Sequence, residues 1–433
     1  MKTLLFKVKT NLNTMKYRYS YLLLLILELF VINRLSDLPS GATSWSVKAR
    51  ELMNLQIPSD NFYGPGEGIL MIPFSISSNA YHLAKFFYLG LGALGYWQIT
   101  KIVPNFRLRN LIRLALPLNF YLIWLINSSS DTAFEFCLLI WSCFFLLVKR
   151  YNWYLVVTYL LCLTRAGYWA FCMCTSLILF FKEYVQLRTI NFKKLMVFPI
   201  FILTAIFNLV VYSSPSPALE GGITAYFSYT KYHYLALPKM DMDVFLSGPN
   251  GAFSEGIGPK IPEGSTQAEK NNIYQRAAFD SLLTNKKEAV LGWMQKFDSY
   301  FFDVQKVPHL PGSYVLNQKE MKISILNERL SWNLVIGNLL FMIYRTVLVL
   351  GILLAIGLYL GSHWFQEKPI RRKCKLLILS TPYVFGFIPG ILFYTETRFK
   401  IVSELLLFPL IAEIFALSLM ERKNLKFKSS VRQ

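Results

Sequence analysis

Apolar residues in this chain gather in long blocks, and the charges gather between them. Runs such as 21–31, 136–148 and 197–212 are rich in Leu, Ile, Phe and Val. None alternates strictly with period two, so the pattern is that of helices and not of barrel strands. In hydrocarbon a helix satisfies its own backbone, and about 20 mostly apolar residues suffice to cross. On that basis the sequence predicts about ten spans, at 20–34, 82–99, 111–127, 132–148, 151–164, 167–181, 195–212, 346–362, 376–394 and 401–419. The expected fold is an all-α polytopic membrane protein in three parts. Residues 1–212 form an N-terminal transmembrane module with a first long loop at 35–81, residues 213–345 a large loop, and residues 346–433 a C-terminal transmembrane module.

The large loop has its own pattern. It opens on turn signals, Ser214-Pro215-Ser216-Pro217 and Gly221-Gly222. A helical pattern runs from Gln267 to about Phe302. Its second half carries Ala289, Leu291, Trp293, Met294, Phe297, Tyr300 and Phe301 among Lys286, Lys287 and Lys296. That mixture predicts a helix lying on a membrane surface. Residues 333–344 read either as an interfacial helix or as the outer half of the span that follows.

Charge sets the orientation. The net charge of +20 would point to nucleic acid in a soluble protein. Here the basic residues cluster on alternate loops, as in Lys101, Arg107, Arg109 and Arg113, in Lys149 and Arg150, and in Arg371, Arg372 and Lys373. That is the positive-inside signature. It places both termini in the cytoplasm, makes membrane lipid the partner of the basic loops, and removes nucleic acid as a partner. Outer loops that are short and without cysteines point to a bacterial plasma (inner) membrane, with the endoplasmic reticulum as the alternative. The large loop has no cysteine and therefore no disulfide framework. Cys172 and Cys174 have no His or acid at ligand spacing and read as small core residues.

Candidate chemistry lies on the opposite, extracytoplasmic side. Asp37 follows the first span, where a carboxylate can take a proton from an acceptor hydroxyl. A solvated loop acid or helix cap is the plainer reading. Asn61-Phe62-Tyr63-Gly64-Pro65-Gly66-Glu67 follows, after a short amphipathic segment around Trp45, Ala49 and Leu52. Asp131 stands where a helix N-cap belongs, and Glu135 lies one turn further in. An acid inside a span usually faces protein or water. Four cations, Lys85, Arg165, Arg345 and Arg398, stand at outer turns, where positive charge is normally sparse. Snorkelling accounts for one or two of them. Four on one face point to an anionic ligand such as a phosphate. No P-loop, zincin or Rossmann motif is present.

The order of these features resembles that of the GT-C glycosyltransferases, in the branch of protein O-mannosyltransferases, lipid A aminoarabinose transferases and family 39-like bacterial enzymes. The resemblance rests on Asp37 after the first span, on Tyr63-Gly64-Pro65-Gly66, and on Lys85 opening the second span. It continues through Pro117, the Ser130-Asp131 or Glu135 acid, Leu163-Thr164-Arg165, and Glu396-Thr397-Arg398-Phe399-Lys400. Ala166 stands where the family usually has Pro, Lys400 where it usually has Arg, and Ser403-Glu404 where it often has an earlier proline.

The resemblance implies a transferase that moves a sugar from a polyprenyl phosphate or diphosphate donor to the hydroxyl of an acceptor glycan, lipid or protein. Asp37 would be the base, with Asp131 or Glu135 as a second acid. Lys85, Arg165, Arg398 and Arg345 would hold the donor phosphate, with Tyr63, Glu67, Glu396 and Lys400 in support. No cofactor is required on this reading, although some GT-C relatives use a divalent metal. A transporter or flippase for a lipid-linked glycan, or an oligosaccharide ligase, are the alternative readings.

Overall fold

The computed structural model describes residues 42–58, 65–75, 80–127, 132–188, 192–216, 221–229, 258–301, 314–317, 322–325, 332–361, 378–388 and 397–430. The first predicted span and Asp37, Tyr63, Asp131 and Glu396 lie outside the described residues.

The first long loop contributes two helices, α1 (Ala42–Met53) and α2 (Gly66–Met71). Then come α3 (Ala80–Ile99), α4 (Phe106–Arg113), α5 (Ala115–Leu118) and α6 (Phe120–Asn127). Next are α7 (Thr132–Leu147), α8 (Tyr151–Thr164), α9 (Tyr168–Leu187) and α10 (Val197–Tyr212). The large loop contributes α11 (Gly221–Tyr229), α12 (Gln267–Thr284) and α13 (Lys286–Phe301). It also holds an antiparallel hairpin of β1 (Tyr314–Asn317) and β2 (Lys322–Ile325), with Tyr314 opposite Ile325. The C-terminal part is α14 (Trp332–Gly361), α15 (Ile378–Ile388) and α16 (Thr397–Ser430).

Among the described residues three stretches are long and apolar enough to cross a membrane, Phe192–Tyr212, Leu339–Leu360 and Lys400–Ser418. They make this a helical membrane protein. The count of about ten spans is not supported by the described helices, for identifiable reasons. The predicted span at 111–127 is three short helices. Pro117 lacks an N–H and crowds the preceding turn. The chain breaks at Asn119, whose backbone leaves the helical region (φ −83°, ψ 66°) and whose side chain accepts from the Leu122 N–H at 3.2 Å. α7 and α8 are apolar but only 16 and 14 residues long. The hairpin is a second departure, from the all-α expectation, and its Tyr, Val and Ile content suits a pleated strand.

The core is built on α3, α6, α7 and α16, with α14 packed against them. Small residues let α3 and α7 approach: a Cβ at Gly95 would lie 2.8 Å from Ile140. The Trp141 indole N–H crosses the same interface to the Leu91 carbonyl at 2.9 Å. The apolar stretch of α16 is 83% buried, whereas that of α10 is only 11% buried. α16 is therefore the central strut of the bundle and α10 a peripheral helix.

The helical pattern from Gln267 is divided at Asn285 into α12 and α13. A capping box opens α12: the Thr266 hydroxyl accepts from the Glu269 N–H at 3.2 Å, and the Glu269 carboxylate accepts from the Thr266 N–H at 2.8 Å. The Thr266 N–H, and after it the Thr266 hydroxyl at 3.0 Å, donate to the Glu269 carboxylate and hold it below its usual range. The exposed face of α13 is apolar, with Val290, Leu291, Met294 and Phe297, as a surface helix requires. Its C-terminal end is different, because Tyr300 is buried in the bundle.

Candidate functional site

Two glycines seat α2. A Cβ at Gly66 would lie 2.6 Å from the Leu163 carbonyl carbon, and one at Gly68 would lie 2.8 Å from the Lys48 Cβ. Only glycine lets the start of α2 rest on the last turn of α8 and on α1. Glu67 is thereby buried, and its carboxylate lies 3.7 Å from the Lys48 ammonium, which is buried too. α3 joins the same end of the bundle: the Tyr88 hydroxyl donates to the Leu70 carbonyl at 2.9 Å. The Tyr88 ring meets Phe134 edge-on at 5.0 Å. Lys85, one turn earlier on α3, is buried, with its ammonium 5.9 Å from the Phe86 ring centre.

Glu135 is the centre of this end. It lies one turn into α7 and is fully buried. α8 ends at Arg165, whose backbone is extended (φ −138°, ψ 109°). The Arg165 Nε lies 3.0 Å from Glu135 Oε2. The Tyr168 phenol donates to Glu135 Oε1. With a guanidinium on one oxygen and a phenol on the other, the carboxylate fixes the Arg165 fork and is poorly placed to act as a base. Arg165 itself is 12% exposed, the most accessible of the four charges in these two ion pairs.

A second polar cluster lies between α13, α14, α15 and α16. Arg345 pairs with Glu404, and both are buried. α14 is continuous through Arg345, so 333–344 belongs to the same helix as the predicted span, and Arg345 lies inside it instead of at its start. The Tyr300 hydroxyl donates to the Tyr383 carbonyl at 2.7 Å, and the Tyr383 hydroxyl returns a bond to the Tyr300 carbonyl at 3.1 Å. The Lys400 ammonium donates to the same Tyr300 carbonyl, also at 3.1 Å. Tyr168, Tyr300, Tyr344 and Tyr383 belong to one continuous buried core, through which the two clusters adjoin.

Among the predicted site residues, Glu67, Lys85, Glu135 and Arg165 thus gather at one end of α2, α3, α7 and α8, and Arg345 and Lys400 in the adjoining cluster. Arg398 stands in the first turn of α16, and its side chain is outside the described residues, as are Asp37, Tyr63, Asp131 and Glu396. Sequence reasoning missed Lys48, Tyr168, Tyr300, Tyr383 and the role of Glu404. Glu404 carried a usable signal, since an acid inside an apolar run needs a partner. The tyrosines carried none, because aromatic residues are common throughout the chain.

A further buried cation belongs to the large loop. The Lys296 ammonium donates to the Ser228 hydroxyl and lies 5.0 Å from the Tyr229 ring centre. Burial pulls its pKa from 10.5 down to about 7. Among the described residues no group of three or more His, Cys, Asp or Glu side chains is placed to hold a metal ion. Comparison with known proteins leaves this geometry without a relative: no protein-family model, no curated protein and no solved structure matches the chain.

Proposed function

We propose that this protein is a membrane glycosyltransferase that moves a sugar from a polyprenyl-phosphate donor to an acceptor hydroxyl at the extracytoplasmic face. The reading takes the chain as multi-pass, with about ten crossings and both termini cytoplasmic. What carries it is the fixing of the Arg165 guanidinium by buried Glu135, 3.0 Å away, at the bundle end that also holds Lys85, Lys48 and Glu67. Buried charge of this density is costly to fold and usually marks a functional site in a membrane protein.

In the reaction the acceptor oxygen forms a bond to the anomeric carbon while the bond from that carbon to the phosphate oxygen breaks. The phosphate leaves as an anion, and Asp37 takes the acceptor proton. Cations fixed where that negative charge develops lower the barrier. Arg165 is held there by Glu135, which positions it. Lys85 and Arg398 complete the phosphate side, and Glu396 and Tyr63 support them. No step needs a metal ion.

The test is transfer from a radiolabelled polyprenyl-phosphate sugar in membranes containing wild type, Asp37→Asn or Arg398→Ala, with and without a divalent ion. Loss of labelled product in both variants is expected. Full transfer in both overturns the proposal. Movement of the labelled lipid across the bilayer with no transfer product assigns the protein to the flippases instead.

A further inference from the structure

The corner that carries Arg165 has a second tie, deeper in the bundle. The Cys162 thiol donates to the Cys172 sulfur, with the two Sγ atoms 3.4 Å apart. Cys162 lies in the last turn of α8 and Cys172 in the second turn of α9. The bend between those helices, residues 165–167, is the one that presents Arg165. Both cysteines are free thiols, and they are buried at 3% and 0% exposure. Cys174, two residues further along α9, faces another side of the helix and is half-buried.

This contact is close to bonding geometry. A disulfide holds its sulfurs about 2.0 Å apart, so roughly 1.4 Å of approach remains from the observed 3.4 Å. A sulfur covers that distance by rotating about its own Cα–Cβ bond. The S–H of Cys162 already points along the line on which the new bond would form. Burial keeps charged and bulky reagents out, so the oxidant that suits this pair is small and uncharged, a peroxide. Buried thiols react slowly, so the pair answers to sustained oxidation and not to a brief pulse.

We propose that Cys162 and Cys172 are an oxidative modification site, closing into a disulfide that clamps the α8–α9 corner when hydrogen peroxide reaches it. Peroxide transfers one oxygen to the first sulfur, giving a sulfenic acid and a molecule of water. The second sulfur then attacks the sulfenic sulfur. The S–S bond forms, the S–O bond breaks, and hydroxide leaves with the proton of the second thiol as another water. The two thiols lose two electrons, and the peroxide takes them up. The clamp lies beneath the Arg165 backbone, whose N–H donates to the Leu161 carbonyl at 2.8 Å and whose carbonyl accepts from the Tyr168 N–H at 3.1 Å. A covalent bond across so short a loop restrains opening of that bend. It does so whether or not the chain is a transferase.

The test uses the full-length protein in detergent, treated for hours with hydrogen peroxide, then denatured, alkylated and digested with trypsin. Cleavage after Arg165 separates the two cysteines, so the disulfide appears as peptides 151–165 and 166–182 joined, with two hydrogens lost and restored by dithiothreitol. The link should persist in C174S and vanish in C162S and in C172S. Hydrogen exchange at the amides of 165, 168 and 169 should be about ten-fold slower in oxidised than in reduced wild type. Thiols that stay fully alkylatable, oxidation that stops at sulfinic acid on either cysteine, or a link that runs through Cys174 each overturns the proposal. Equal exchange in the oxidised and reduced forms overturns the clamp.

Discussion

Arg165 and Glu135 stand 30 residues apart in sequence, yet the guanidinium Nε lies 3.0 Å from the carboxylate Oε2. The contact holds the extended turn between α8 and α9 against the first turn of α7. The Tyr168 phenol, also on Glu135, closes the corner from the start of α9. One helix end and two helix starts are thus tied to one buried carboxylate.

Breaking that tie on one side leaves a charge without its partner. Glu135→Gln should lower stability by about 3–5 kcal/mol, the range for removing one member of a buried pair. Glu135→Gln with Arg165→Met should cost less than the sum of the two single changes. Thermal unfolding in detergent of wild type, both singles and the double gives the coupling. Strict additivity would mean that the pair carries no interaction of its own.

Gly66→Ala should destabilise the bundle by about 1–3 kcal/mol, the usual cost of overpacking. The added carbon meets backbone at Leu163, 2.6 Å away, which cannot rotate aside. The readout is a lower melting temperature together with faster hydrogen exchange in α2. Gly258→Ala is the control, because its nearest neighbour is the Tyr274 hydroxyl at 3.5 Å and nothing need shift.

Tyr300→Phe removes the donor to the Tyr383 carbonyl at 2.7 Å and keeps the ring. Roughly 1 kcal/mol of stability should go with it. Hydrogen exchange should rise at the C-terminal end of α13 and not in α12. Unchanged protection of α13 would mean that the ring, tilted against Phe387 with centroids 5.1 Å apart, anchors the helix without the hydroxyl.

Lys296 makes the large loop pH-dependent. Its folded pKa is about 7 and its ordinary value 10.5, so between those limits the unfolded chain binds the extra proton. Stability therefore rises with pH across that window. The burial penalty is at its full size below about pH 7 and is gone above pH 10.5. Lys296→Met should flatten the slope, as followed by thermal unfolding at pH 6 and pH 9. A wild type equally stable at both would show that Lys296 stays charged when folded.

Much of the helical layout could be read directly from the chain. The predicted segment at 151–164 coincides with α8, and that at 195–212 contains α10. Apolar runs bounded by charge define a helix through local forces alone, and a run of residues contains that information. Cluster membership was partly legible: Glu135, Arg165, Lys85 and Glu67 were candidates because a charge at an apolar boundary is conspicuous in any sequence.

Only the tertiary structure decided which charge meets which. Arg345 read as the start of a span, and it became the partner of Glu404 because α14 runs unbroken past it and packs on α16. Lys48 and Tyr168 were indistinguishable from other lysines and tyrosines until α1 and α9 were placed. The physical reason is range. Helix formation is settled among residues three or four apart, whereas an ion pair is settled by the packing of helices far apart in the chain. In an apolar interior each buried charge must find its counterpart through that packing or leave a large desolvation cost uncompensated.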